Sequence, residues 1–325
     1  KMSEIKNISK PISNELRKLD ELFKATMKSR VTIIDQISKF ILRQKSKKIR
    51  PILTFLSAKN CGEVTPSSYR AAMMIELLHT ATLVHDDVVD NADTRRGFAS
   101  VNAIWKNKVA VLMGDYFLSK GLLICIDAND FKILGVTSNA VRRMSEGELL
   151  QIQKSKQLDI DEKVYFKIIS DKTASLLSAS CEVGAISATS DQEKIINMRN
   201  FGENLGIAFQ IQDDLLDYLG ETSILGKSTG MDLKEKKITL PLIYALKNSN
   251  KSSVKTIVKM LKNDLQKKQI NYIVDFVKDS GGIEYARSKA EDFISKAEKC
   301  LDNFPESEPK DSLLKLLHFV TERNY

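Results

Sequence analysis

Two Asp-Asp-x-x-Asp triplets, Asp86-Asp87-Val88-Val89-Asp90 and Asp213-Asp214-Leu215-Leu216-Asp217, stand inside apolar, helix-patterned sequence. With 23 aspartates spread over 325 residues, one such triplet is expected by chance roughly 0.1 times, so the pair belongs to the fold and not to the composition. Ala81-Thr82-Leu83-Val84 leads into the first triplet and Ile207-Ala208-Phe209 into the second. Carboxylates in such surroundings are costly unless something positive meets them. Any fold of this chain must therefore bring cations to two helix ends while packing the rest of those helices in an apolar interior.

Glycine and proline together number 20, about 6% of the chain against a usual figure of roughly 12%, too few for the turns of an all-β protein. Apolar residues recur at helical spacing through 11–43, 50–60, 67–91, 102–126, 130–155, 161–188 and 191–219, and again through 236–248, 251–263, 266–279, 282–302 and 309–322. The expectation is an all-α, single-domain helical bundle over residues 3–325, with a Gly-, Ser- and Thr-rich loop at 220–231. Pro66 and Pro309 read as helix starts, and Gly281-Gly282 as a break. Helices 67–91 and 191–219 are apolar on nearly every face, which places them centrally, whereas the more polar helices after 231 read as peripheral.

The net charge of +8 comes without an Arg-rich arm or interleaved aromatic and basic residues, so it reads as a lysine-rich solvated surface and not as a nucleic-acid footprint. Cys61, Cys125, Cys181 and Cys300 lack metal-ligand or disulfide spacing and read as reduced core residues of a cytoplasmic protein. The apolar stretch from Ala71 to Val84, interrupted by Glu76 and His79, falls short of a membrane span. Lys1 and Met2 lie outside the expected domain, and no signal peptide is expected.

At about 100° per residue, the first and last aspartates of each triplet lie within roughly 40° of one another and about 5.4 Å apart along the helix. One face thus presents two carboxylates. Magnesium prefers oxygen ligands and bridges carboxylates to substrate phosphates, so two such triplets suit a clamp on a diphosphate. Basic residues follow the same logic. Lys45-Ser46-Lys47-Lys48-Ile49-Arg50 opens an apolar helix, Arg95-Arg96-Gly97 follows the first triplet, and Lys227, Lys234, Lys236 and Lys237 follow the second; arginine forks and ammonium groups are the usual phosphate partners. His79 shares a helix face with Asp86, while His85 points elsewhere. Lys172-Thr173 interrupts an apolar helix, where a buried lysine needs an anion nearby, and Gln210 lies about 60° from the face of Asp213.

These residues resemble the trans-isoprenyl diphosphate synthase family over about residues 40 to 245. The two Asp-rich motifs, the first followed by Arg95-Arg96-Gly97 and the second preceded by Gln210-Ile211-Gln212, carry the resemblance with Lys47-Lys48-Ile49-Arg50-Pro51 and Leu78-His79-Thr80. One departure is Lys45-Ser46, where the family usually has two glycines. The resemblance implies that Lys47, Arg50, His79 and Arg96 bind the diphosphate of isopentenyl diphosphate. It implies Arg95 for the allylic diphosphate, and Lys172, Thr173, Gln210, Lys227 and Lys237 for contacts with the allylic substrate or support of its ionisation. Asp86, Asp87, Asp90, Asp213, Asp214 and Asp217 become ligands for magnesium, about three ions with diphosphate bound, with Asp86 and Asp213 joining Lys172, Thr173 and Gln210 in catalysis. It further implies a deep central cavity, a homodimer, and farnesyl or geranylgeranyl diphosphate as primer. No nucleic acid or transmembrane segment is implied, and membrane contact is at most transient, as product leaves.

In such enzymes, bulky side chains just before the first motif stop the growing chain. Here Ala81 and Thr82 are small and Ile75 and Leu78 lie farther down the helix, so a long all-trans product is expected, octaprenyl or a neighbouring length, of the kind used as a quinone side chain. Tyr116, Phe117 or Phe131 are candidates for the tunnel floor, although aromatic residues at helical spacing are usually core. Other readings are a shorter-chain farnesyl or geranylgeranyl synthase, a class I terpene cyclase, and a regulatory subunit of a heteromeric synthase. Two complete triplets and a second basic site favour an enzyme with two diphosphate substrates.

Overall fold

A computed structural model of the chain describes residues 2–44, 47–95, 98–157, 160–220 and 230–321, the side chains of Met2 and Arg95 excepted. Among the described residues the chain is all-α apart from one short hairpin. The order is α1 (Met2–Ile8), a 3-10 turn (Lys10–Ile12), α2 (Ser13–Thr26), α3 (Thr32–Arg43), α4 (Ile49–Cys61), α5 (Pro66–Val89), β1 (Thr94–Arg95), β2 (Phe98–Ala99), α6 (Val101–Asp127) and α7 (Phe131–Gln157). Then come α8 (Glu162–Ile169), a wide turn (Ser170–Ala174), α9 (Ser175–Ala188), α10 (Gln192–Leu219), α11 (Met231–Lys234), α12 (Leu240–Asn248), α13 (Lys251–Leu261), α14 (Lys267–Asp279), α15 (Gly282–Lys299) and α16 (Glu308–Thr321). Cα packing divides the chain into two compact units.

The first unit comprises Lys1–Asn139, Ala179–Arg199 and Phe304–Leu313. Its α5 starts where Pro66 predicts. Thr65 and Ser68 cap each other reciprocally, each side-chain oxygen accepting the other's backbone N–H, and proline at the first helical position needs no donor. From Ala71 to Ala81 the helix buries Met73, Met74, Ile75, Leu77 and Leu78, and α4 does the same from Pro51 to Ala58. Each such side chain contributes about 1.5–3 kcal/mol relative to exposure, far more than an exposed pair such as Lys39–Asp35 at about 0–1 kcal/mol. Burial of α5, not surface charge, therefore fixes where its acidic end lies. Backbones also approach closely: a Cβ added to Gly184 would lie 2.2 Å from the Thr54 carbonyl oxygen.

The hairpin pairs Thr94 with Ala99 and Arg95 with Phe98, in a segment whose sequence reads only as a joint; strands of two residues are too short to show an alternating pattern. Helix α6, 27 residues long, is long and apolar enough to cross a membrane, which the stretch from Ala71 to Val84 is not. It is broken at Lys106, whose φ is 71°. Cys61, Cys125, Cys181 and Cys300 stand as thiols outside any disulfide, the first three buried, and burial pushes the Cys61 thiol up to about 12.

The second unit comprises Ala140–Ser178, Asn200–Asn303 and Leu314–Tyr325. Tyr165 and Ile169 of α8, Ile207, Ile211 and Leu215 of α10, and Leu240 and Leu242 of α12 lie in one apolar core. The later helices, expected to be peripheral, correct that expectation: Ile257, Leu261, Ile273, Val277 and Ala286 belong to the same core. These helices are amphipathic, so their polar faces lower the average while one stripe is fully buried.

Candidate active site

In the first unit, α5 presents Asp86 and Asp90 at its surface and buries Asp87, which is 3% exposed. The i, i+4 geometry accounts for this directly, since the middle residue lies about 100° from the first. Behind Asp87 the chain is tied down: its carbonyl accepts from the Ala92 N–H at 2.9 Å and from Asn102 Nδ2 at 3.2 Å. Two turns before the triplet, Arg50 Nη1 donates to His79 Nε2 at 2.9 Å, so two predicted ligands 29 positions apart meet. Lys47 is exposed at the approach to α4. Lys48, at the N-cap of α4 with a left-handed φ of 52°, pairs with Asp20.

A pocket of about 270 Å³ lies on this side of α5, with Leu19, Phe23, Leu83 and Val84 among its apolar lining and His79 and Asp87 among its polar groups. That size is at the small end of ligand pockets, roughly 300–1,000 Å³. Ala81, 2% exposed, does not line it, and nor does half-buried Thr82, whose hydroxyl donates to the His79 carbonyl at 2.9 Å. Ile75, Leu78 and Phe117 are buried, Tyr116 is half-buried against Phe117, and Phe131 is exposed at the first position of α7. His85 points away from the acidic face, 3.2 Å from the Val111 carbonyl oxygen and above Gly114.

In the second unit the same pattern recurs. Asp213 is exposed, Asp217 half-buried and Asp214 buried. Asp214 accepts from the Tyr165 hydroxyl at 2.7 Å and from Gln210 Nε2 at 2.8 Å. Burial, with the charge of Asp232 adding to it, pushes its carboxyl up to about 8. Asp217 accepts from the backbone N–H groups of Met231 and Asp232 at 2.9 and 3.1 Å, and so fastens the start of α11 to the end of α10. Asp232 is raised to about 6, first by burial and then by Asp217, with Lys237 opposing. Crowded carboxylates whose pKa values rise are what a divalent cation relieves. The residues thus fit an oxygen-loving ion, although among the described residues no three such side chains form a preformed cage.

Thr173 and Gln210, also predicted together, are joined: the threonine hydroxyl donates to Gln210 Oε1 at 2.8 Å, completing a chain from Thr173 through Gln210 to Asp214. Lys172 corrects the expectation of a buried lysine. Its side chain is 36% exposed and reaches Glu148 at 2.5 Å and Gln151 at 2.9 Å. The cause is the wide turn that carries it. The Ser175 N–H bonds to the Ser170 carbonyl, five residues back, so a helix extrapolated at 3.6 residues per turn points Lys172 the wrong way. Lys237 pairs with Glu235 at 2.5 Å. Arg95 lies in β1, while its side chain, Arg96 and Lys227 fall outside the described residues. Sequence reasoning missed Asp232, Tyr165, Glu148 and Gln151. Asp232 sits in polar sequence without periodicity and Tyr165 reads as core, while Glu148 and Gln151 are two of many polar residues on α7, beside Arg142, Arg143, Glu146 and Gln153, and nothing in the sequence marks them out.

The polyprenyl synthetase family model matches residues 31–277. An octaprenyl diphosphate synthase of Haemophilus influenzae is 33% identical over 323 residues, 99% of this chain and 98% of that protein. Among solved structures, a decaprenyl diphosphate synthase from Rhodobacter capsulatus superposes with a TM-score of 0.92 at 32% identity, over 98% of this chain and 99% of the other. A polyprenyl synthase from Caulobacter crescentus, complexed with calcium and isoprenyl diphosphate, gives 0.90 at 32% identity over 98% of both chains. Named products among the similar proteins run from geranylgeranyl to decaprenyl. All-α architecture and paired acidic helix ends define a prenyl-transferring enzyme, and the chain belongs to the polyprenyl synthetase family. Its activity is that of a trans-polyprenyl diphosphate synthase.

Proposed function

We propose that this enzyme uses magnesium to condense isopentenyl diphosphate with farnesyl or geranylgeranyl diphosphate, giving an all-trans product of octaprenyl or neighbouring length for quinone side chains. The observation that carries this reading is the repeated pattern of exposure: each triplet turns its first aspartate outward and buries its second. Asp86, Asp90 and Asp213 hold the ions, with Asp87, Asp214 and Asp217 shaping their surroundings. Bound magnesium supplies charge neutralisation of the leaving diphosphate.

The chain's own residues do the rest. Lys47, Arg50, His79 and Arg96 hold isopentenyl diphosphate; the 2.9 Å contact of Arg50 with His79 preorganises two of these donors, and the small pocket beside His79 suits a five-carbon tail. Arg95, Lys227 and Lys237 grip the allylic diphosphate. Thr173 and Gln210, linked to each other and to Asp214, present fixed dipoles beside the developing allylic cation, with Lys172 nearby on the same turn; fixed dipoles need no reorganisation at the moment of reaction. The allylic C–O bond breaks, and the isopentenyl double bond then attacks the cation. A proton is lost to the departed diphosphate, so no protein nucleophile is required. Incubation with farnesyl diphosphate, magnesium and labelled isopentenyl diphosphate is expected to give products longer than geranylgeranyl. Products no longer than that refute the long-chain reading, and product formed without isopentenyl diphosphate points to a terpene cyclase.

The same reading includes a homodimer. Val111, Leu112, Leu123 and Ile126 of α6 are 40–58% exposed and share one side of the helix, an apolar stripe of the kind that a symmetric partner covers. Leu112→Asp combined with Leu123→Asp is expected to convert the dimer to monomer in sedimentation equilibrium. A parent protein that sediments as a monomer would sink this part of the proposal.

A further inference from the structure

The wide turn Ser170–Ala174 resets the helical hydrogen-bond ladder between α8 and α9, and it carries Lys172 and Thr173. Such a turn costs stability and persists only where its surroundings impose it. Three sets of contacts impose it here. A Cβ on Gly147 of α7 would lie 2.8 Å from the Lys172 backbone nitrogen, and one on Gly206 of α10 would lie 2.5 Å from the Ala174 Cα, so both helices press their bare backbones against the turn. On the same flank stands Arg143 of α7. Its Nε donates to Asp171 Oδ1 at 2.8 Å, and its Nη2 to the Ser170 carbonyl at 3.2 Å and the Ser170 hydroxyl at 2.8 Å. The outer edge of the fork meets Glu203 of α10 at 3.1 and 2.7 Å.

Two details separate this cluster from an ordinary ion pair. The carbonyl that Arg143 grips is the one that closes the wide turn, since it also accepts the Ser175 N–H. And Asp171, whose side chain is 2% exposed, directly precedes Lys172 in sequence, so holding its carboxylate fixes the backbone from which Lys172 projects. Desolvation alone would lower the Arg143 pKa, but Glu203 and Asp171 outweigh it and keep the guanidinium charged. Lys172 Nζ pairs with Glu148 and Gln151 and Thr173 Oγ1 with Gln210, not with Arg143, Asp171 or Glu203, and the chemistry above gives these three no task.

We propose that Arg143, Asp171 and Glu203 form a positioning device: the guanidinium fork, anchored on Glu203, holds the Ser170 carbonyl and the Asp171 carboxylate so that the wide turn presents Lys172 and Thr173 in one fixed register. Arginine is suited to this and lysine is not, because only a planar fork satisfies three partners at fixed angles. The proposal rests on the prenyl-transfer reading for its kinetic consequence, but not for its structural one.

Arg143→Ala leaves a buried carboxylate short of a partner and invites misfolding, so the test uses Arg143→Lys and Glu203→Gln, which keep charge or shape. Amide hydrogen exchange is expected to speed up by about tenfold at residues 170–175 in both variants and to stay unchanged in α12–α15. In the prenyl-transfer assay, kcat is expected to fall by about tenfold with the KM for isopentenyl diphosphate within about twofold, since loss of register misplaces groups without removing a substrate contact. On a Lys172→Ala/Thr173→Ala background, Arg143→Lys is expected to change kcat by less than about twofold, because both groups it positions are already gone. Unchanged exchange at 170–175, or equal loss of kcat on both backgrounds, overturns the proposal. Faster exchange in the variants, when the parent protein makes no prenyl product, leaves the positioning device standing and defeats the functional reading.

Discussion

Changing Asp86 or Asp213 to Asn is expected to lower kcat/KM for prenyl transfer by about a thousandfold, equivalent to about 4 kcal/mol of transition-state stabilisation, while Tm stays within about 2 °C of the parent. Both carboxylates are exposed, so folding does not depend on them, whereas in the proposed reading an ion and a leaving diphosphate do. The buried middle aspartate gives the contrast. Asp214 accepts from two donors, Tyr165 and Gln210, and asparagine offers one acceptor and one amide. Asp214→Asn therefore replaces one of these acceptor oxygens with a donor and disrupts the buried network, at a cost of about 1–3 kcal/mol of folding stability. Steady-state kinetics over a magnesium series, together with thermal melts, separate these effects. A melt that drops for Asp213→Asn with the rate intact would place that carboxylate in structure instead of chemistry.

Ala81→Phe is expected to shift the product to geranylgeranyl length or shorter. Alanine leaves room one turn before the first triplet, and a ring there blocks a chain growing along α5. The substitution also tests the open-tunnel idea against its plainest competitor. Ala81 is 2% exposed and lies outside the small pocket beside His79. If it is close-packed core, the ring overpacks the site, costing about 1–3 kcal/mol, and the length distribution stays as it was. Chromatography of the products and urea denaturation of the same variant distinguish the two outcomes. A destabilised enzyme with unchanged products would falsify the tunnel assignment.

The parts of this protein that were legible in its sequence are those where one physical pattern acts alone. Helix α5 begins at Pro66 and carries its aspartates at the far end because apolar periodicity and a capping proline agree. The meeting of Arg50 with His79 and of Thr173 with Gln210 agrees with the sites that the family resemblance implied, not with anything that periodicity alone showed. What stayed hidden involves a competing pattern. The wide turn at 170–174 breaks the helical period without any proline or glycine of its own, so the run 161–188 reads as one helix and Lys172 as buried. Its causes, Gly147, Gly206 and Arg143, lie on other helices. Asp232 belongs to polar sequence in which nothing marks one aspartate from another, and the polar helices after 231 look peripheral because their averages conceal a buried stripe.

The two triplets, identical in their spacing, carry unequal duties. Asp90 simply ends α5, whereas Asp217 receives the first amides of α11 and thereby stitches the acidic helix to the segment bearing Asp232 and Lys237. In the proposed reading, loss of the last aspartate in the first triplet removes a metal ligand. Loss of its counterpart in the second also unfastens the start of α11, so a substitution at position 217 disturbs structure as well as the proposed site.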